Sequence, residues 1–197
     1  METIILIVVL IFSIVIHEVA HGTMAYHLGD PTAKYAGRLT LNPIPHLDPI
    51  GSILVPLFLI IIGSPFLFGW AKPVPFNPYN LRDQKYGSAK VALAGPASNL
   101  LVALVFGLLI RFFPALAGFP VIGFIVLINI LLAVFNLMPI PPLDGSHILF
   151  TFLPYSMWRF RAMLSRYGFL ILVIFIVAGG FRLLFPLILA IYRLITG

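Results

Sequence analysis

Residues 4–22 read IILIVVLIFSIVIHEVAHG: an apolar run interrupted only by Ser13, followed at once by His17, Glu18 and His21. A helix needs about 20 apolar residues to cross the hydrocarbon core of a bilayer, so this run and its continuation predict a crossing helix over 4–28. Ionisable side chains are costly in such a helix and, where they occur, usually face the protein interior and serve a function. The same stretch therefore decides both the fold class and the place to look for chemistry.

The rest of the chain agrees with a membrane assignment. Of its 197 residues 61% are hydrophobic and only 9% charged, and the mean hydropathy is +1.10, well outside the range of a soluble domain. Firm crossing helices are expected at 4–28, 89–112, 119–138 and 167–191. The stretch PIGSILVPLFLIIIGSPFLFGW, 49–70, is interrupted by Pro56, Gly63 and Pro65 and reads as a re-entrant segment sheltered by protein rather than a full crossing. RLTL, 38–41, has the alternation of a short strand. The expected fold is an all-α polytopic membrane protein of about four firm transmembrane helices with a re-entrant or short β-like segment. It forms a single domain over 1–197, with its core at about 4–150 and an additional C-terminal helix at about 167–191.

The chain has no cysteine, which excludes disulfides and thiolate metal sites. Its 12 Lys and Arg against 6 Asp and Glu are dispersed between apolar segments rather than gathered in a stripe, so no nucleic-acid partner is expected. If 49–70 enters and leaves on one side, Lys34, Arg38, Lys72, Arg82, Lys85, Arg159, Arg161 and Arg166 all fall on that side. The positive-inside rule makes it cytoplasmic. METIILIVVLIF lacks a basic n-region and a cleavage site and reads as a retained helix, not a signal peptide.

HEVAH is His-Glu-x-x-His. On a helix, positions i and i+4 share a face about 5–6 Å apart at Cβ, so both imidazoles can reach one zinc ion. Glu18 borders that face, where it can take a proton from water. His27 is turned away and reads as a helix-end residue. A hydrolytic zinc site has three protein ligands and an open position. Candidates for the third are His46, Asp48, Asp144 and His147. Asp144 is favoured, because it follows a proline-broken helix end in FNLMPIPPLDGSHILF, 135–150, without a neighbouring base; His46 is the main rival. For His147 a supporting or interfacial role is expected, and for His46 and Asp48 turn stabilisation is the alternative.

HEVAHG, GRLTLNPIPHLDPIG, GWAKPVP, AGPASN (94–99) and NLMPIPPLDG (136–145), in this order, resemble the site-2 protease family of intramembrane zinc metalloproteases over about residues 10–150. The resemblance implies His17, His21 and Asp144 as zinc ligands, Glu18 as general base, and membrane or membrane-associated protein substrates cut near a membrane face. Asn99 and Asn136 match polar family positions; each is read either as a substrate or oxyanion ligand or as an interhelical hydrogen bond. Asn129 reads as packing. His46 and His147 are candidates for a supporting shell around the ligands. The sequence has no room for a PDZ or CBS domain, so control is expected from a regulatory membrane protein, lipid or substrate access. A multi-pass protein of the cell membrane, its site opening to the cytoplasm, is expected. A metal transporter and an inactive adaptor are the rival classes; the first would need more polar groups along its helices, the second would not need Glu18.

Overall fold

A computed structural model describes residues 2–63 and 69–197. Among these residues eight α-helices follow in order: α1 (Glu2–His27), α2 (Thr32–Tyr35), α3 (Val55–Ile61), α4 (Gly87–Phe112), α5 (Pro120–Asn136), α6 (Asp144–Phe152), α7 (Trp158–Val177) and α8 (Phe181–Thr196). Among the described residues, three segments are long and apolar enough to cross a membrane: Ile4–His27, Gly87–Phe112 and Tyr155–Val177. α5 is apolar but, at 17 residues, sits at the short end of that range. Among the described residues there is no strand. The chain is an all-α polytopic membrane protein.

α4 is the central post, packed against α1, α5, α6 and α8. Its buried side is a line of small residues, including Ala92, Gly95, Pro96, Asn99, Ala103 and Gly107. Without a hydrophobic drive between helices in lipid, such a line promotes association by letting backbones approach closely. At the far end, Ala103 and Ile110 of α4 meet Val126 and Ile130 of α5 and Ile188 of α8 in a closed apolar cluster.

The C-terminal region departs from the expected single helix at 167–191. It is two helices, α7 and α8, joined through Ala178–Gly180. Gly179 has φ +80°, which a helix interior cannot contain, and the Gly180 amide closes α7 by donating to Phe175 O at 2.8 Å. RLTL also departs from expectation: residues 39–41 form bends, and none of 38–41 pairs as a strand.

The stretch at 49–70 turns back on itself. A helical segment from Pro49 to Ile61 ends in a turn at Gly63 (φ +66°); residues 64–68 of the expected re-entrant segment lie outside the described residues. Trp70 N donates to Gly51 O at 3.1 Å, Ser52 Oγ to Trp70 O at 2.8 Å and Lys72 N to His46 O at 2.9 Å. The chain thus returns to the level from which it left, as a re-entrant hairpin does and a crossing helix does not. Asp30 then ties the loops beyond α1 together: its carboxylate accepts from Thr32 N and Oγ1, Asn77 N and Asn80 Nδ2. It is fully buried, and although burial works to raise its pKa, these hydrogen bonds outweigh it and hold the value below the ordinary 3.8.

Candidate metal centre

His17 and His21 lie one turn apart on α1, with ring centroids 4.5 Å apart and planes at 86°. Their Nε2 atoms are 2.9 Å apart. Asp144, the first residue of α6, brings Oδ2 to 3.1 Å from His17 Nε2 and 3.2 Å from His21 Nε2. Asp144, 123 or more positions from either histidine in sequence, thereby completes one three-atom cluster with them.

Each imidazole is held from behind. His21 Nδ1 donates to the backbone carbonyl of Val91 at 2.7 Å. His17 Nδ1 faces Asn99 Oδ1 at 2.6 Å. The amide of Asn99 is fixed in that sense because its Nδ2 donates to Ser13 O (3.1 Å) and to Asn129 Oδ1 (2.7 Å), both acceptors here. Asn129 Nδ2 in turn donates to Ser13 Oγ at 2.9 Å and Ile125 O at 2.8 Å. With both Nδ1 atoms donating, neutral imidazoles present lone pairs at Nε2. Two lone-pair nitrogens and a carboxylate oxygen then converge with no donor between them, an arrangement that repels itself unless a cation occupies the centre.

The donor set fits a zinc-like ion. Bonds of about 2.0–2.1 Å at tetrahedral angles place ligand atoms roughly 3.3–3.4 Å apart, close to the 2.9–3.2 Å found here. Asp144 Oδ2 is buried with no hydrogen-bond donor of its own. The second-nitrogen hydrogen bonds are those that orient metal-ligating histidines.

Two glycines make the approach possible. A Cβ on Gly95 would lie 2.4 Å from His21 Nε2 and 2.7 Å from His17 Cε1, so α4 supports both rings only because this position has no side chain. A Cβ on Gly145 would lie 2.2 Å from Leu137 O and 2.5 Å from Met138 O; its absence lets the start of α6 tuck under the end of α5 and deliver Asp144. Neither glycine was singled out in the sequence, although both sit inside the quoted motifs AGPASN and PLDG.

Glu18 projects beside the cluster, and its Oε2 accepts from Val74 N at 2.7 Å. Val74 belongs to an extended strap that Arg38 holds from the other side: the Arg38 guanidinium, buried, donates to Lys72 O and, at 3.4 Å, to Pro73 O.

The remaining predicted residues divide clearly. Asn99 is fully buried, and its amide is committed to His17, Ser13 and Asn129, so the interhelical reading replaces the oxyanion one. Asn129 is not packing alone; it is the second link behind His17. Asn136 ends α5, donating to Leu132 O at 3.0 Å, and stays partly accessible. His46 stands outside the three-atom cluster: its Nε2 donates to Thr40 O at 2.9 Å. Asp48 caps the 49–54 turn through Ile50 N and Gly51 N. His147, on the exposed side of α6, has its ring 6.5 Å from that of Phe76 and does not join the cluster. His27 is exposed and bonds to Thr23 O.

Comparison with known proteins places this geometry in context. The model of peptidase family M50 matches residues 116–175. A protein of Bacillus subtilis (strain 168) named "Putative zinc metalloprotease YwhC" is 38% identical over 194 residues, covering 93% of this chain and 85% of its own. "Putative zinc metalloprotease Rip2" of Mycolicibacterium smegmatis is 34% identical over 170 residues, covering 85% of this chain and 64% of its own. "Putative zinc metalloprotease MJ0611" of Methanocaldococcus jannaschii is 31% identical over 141 residues, covering 68% and 63%. No solved structure matches the chain.

Proposed function

Because this chain belongs to peptidase family M50, we propose that it hydrolyses peptide bonds of transmembrane or membrane-associated proteins. In this reading His17, His21 and Asp144 hold zinc and Glu18 accepts the proton of the attacking water. The observation that carries the proposal is the convergence of three lone-pair atoms within 2.9–3.2 Å, with Glu18 on the adjacent position of the same helix.

When bound, zinc supplies acidified water and polarises the scissile carbonyl. The chain's own residues do the rest. Val74 N–H anchors one oxygen of Glu18, which fixes the carboxylate plane and leaves the other oxygen to take the proton and later deliver it to the leaving amine. Asn99, steadied by Asn129, and the Val91 carbonyl keep the two imidazoles in the tautomer that presents Nε2. The basic residues Lys34, Arg38, Lys72, Arg82 and Lys85 of the 29–88 segment, with Arg159, Arg161 and Arg166 in the first part of α7, support a cell-membrane protein whose site opens to the cytoplasm. A regulatory membrane protein and the lipid bilayer are its proposed partners besides substrate.

The test is Glu18→Gln in the full chain. The variant is expected to keep its zinc stoichiometry and lose cleavage, with uncleaved membrane proteins accumulating relative to wild type. Full activity in the variant removes Glu18 from the proposed role.

A further inference from the structure

Arg38, in the loop after α2, is 5% exposed. A buried guanidinium is ordinarily matched by a carboxylate, yet among the described residues no carboxylate lies within ion-pair distance of this one. Its charge is directed at two neutral backbone acceptors, Lys72 O and, at 3.4 Å, Pro73 O. Such burial is costly, and the backbone that it grips leads directly to Glu18.

Pro73 O and Val74 N belong to one peptide unit, planar and trans, whose C=O and N–H point to opposite sides. Arg38 draws on the oxygen from one side, while the N–H donates to Glu18 Oε2 at 2.7 Å on the other. Rotating the plane to loosen one contact loosens the other, and hydrogen bonds chained in this way polarise one another. The local sequence, Lys72-Pro73-Val74-Pro75, leaves Val74 as the only backbone donor of 73–75, because proline has no N–H. The following prolines also restrict Lys72 and Val74 to extended backbone. α1 receives the strap at Gly22, one turn beyond Glu18, where an added Cβ would lie 2.7 Å from Leu39 Cδ2 and 2.9 Å from Val74 Cγ1. The residue after Arg38 and the residue that holds Glu18 thus rest on the same spot of α1.

We propose that Arg38 is a positioning residue for the hydrolysis assigned to Glu18, an inference that rests on that reading. By fixing the Pro73–Val74 peptide it fixes the Glu18 carboxylate, and so the direction in which the free Oε1 meets the attacking water. Without the guanidinium the strap keeps its prolines but loses its anchor at 72 and 73, and the carboxylate gains rotational freedom. His17 and His21 are held by Asn99 and the Val91 carbonyl, both on α4, so the ligands do not depend on the strap. A misplacement of about 1 Å at a reacting group lowers turnover by up to roughly 100-fold.

The chain has two glutamates, Glu2 and Glu18, so in a Glu2→Gln background a glutamate label reports Glu18 alone. Zinc-loaded full-length protein carrying glutamate ¹³C-labelled at its side-chain carboxyl is examined by isotope-edited infrared spectroscopy in bilayer nanodiscs. Arg38→Met is expected to keep its zinc and helicity while the Glu18 carboxylate band shifts and broadens. On a fluorogenic apolar peptide that wild type cuts, kcat is expected to fall roughly 10- to 100-fold with KM unchanged. Arg38→Lys restores a cation without the planar fork and is expected to fall between the two; it carries the test if Arg38→Met loses its zinc. A Glu18 band identical to wild type in the zinc-loaded variant overturns the inference, as does a rise in KM at unchanged kcat. Loss of zinc and helicity in both variants assigns Arg38 to folding alone and overturns it too. Because the band is read without hydrolysis, failure here is distinct from failure of the protease reading, in which Arg38→Met moves the band but wild type cuts no membrane protein.

Discussion

Gly95→Ala puts two physical effects in opposition. In an ordinary helix interior the exchange stabilises by roughly 0.5–1 kcal/mol, because glycine loses more backbone freedom on folding. Here the added carbon would meet His21 Nε2 at 2.4 Å and His17 Cε1 at 2.7 Å. Relieving both contacts to van der Waals distance moves the imidazoles by up to about 1 Å, whereas metal–ligand distances tolerate only about ±0.2 Å. Overpacking of this kind costs about 1–3 kcal/mol, and if it falls on the liganded geometry zinc affinity drops by roughly 5- to 150-fold, since each 1.4 kcal/mol is a factor of ten. The assay is competitive titration of zinc against a chelator on purified protein, with helicity by circular dichroism and thermal unfolding of the metal-free form alongside. The expected outcome is a metal-free form as stable as wild type or more so, combined with weakened zinc binding. Wild-type zinc affinity in a folded Gly95→Ala protein would refute the placement of α4 beneath the two histidines.

Asn129→Leu removes the donor and acceptor that steady Asn99 behind His17; loss of such an outer hydrogen bond is expected to weaken zinc binding about 10- to 100-fold, read by the same titration, with His17 and Asp144 intact. Asp30 gives a pH signature. Its folded pKa lies below the ordinary 3.8, so its contribution to stability is complete above that pH and is lost as pH falls through the lower folded value. The difference in unfolding temperature between wild type and Asp30→Asn, followed in detergent from pH 7 to pH 3, is expected to be constant down to about pH 4.5 and to shrink below it. A difference that grows on acidification contradicts the assignment.

The parts of this molecule that were legible in its sequence are those written as local pattern. The apolar run ending in HEVAH specifies both a crossing helix and two imidazoles on one face, because both follow from the helical repeat. Asp144 was legible because a carboxylate after a proline-broken helix end, with no base beside it, needs a partner. The C-terminal break was less so: apolar residues continue on both sides of Gly179 and Gly180, and hydropathy alone runs across a turn that only the positive φ at Gly179 reveals. RLTL alternates as a strand does, but a strand also requires a partner edge, which no local pattern supplies. Asn129 and Gly95 were the least legible, because their roles exist only where α1, α4 and α5 meet. An asparagine in an apolar helix announces a hydrogen bond without naming its partner, and a glycine in a small-residue stripe does not say that imidazoles lie over it.

The central claim is that His17, His21 and Asp144 share one zinc ion, and zinc-edge X-ray absorption of the purified full-length protein tests it most directly. The account predicts one zinc per chain with a shell of nitrogen and oxygen at about 2.0–2.1 Å and the outer scattering of two imidazoles, reduced to one imidazole in His21→Ala and to a loosely held ion in Asp144→Ala. Zinc whose stoichiometry and spectrum are the same in wild type and in both variants would contradict it.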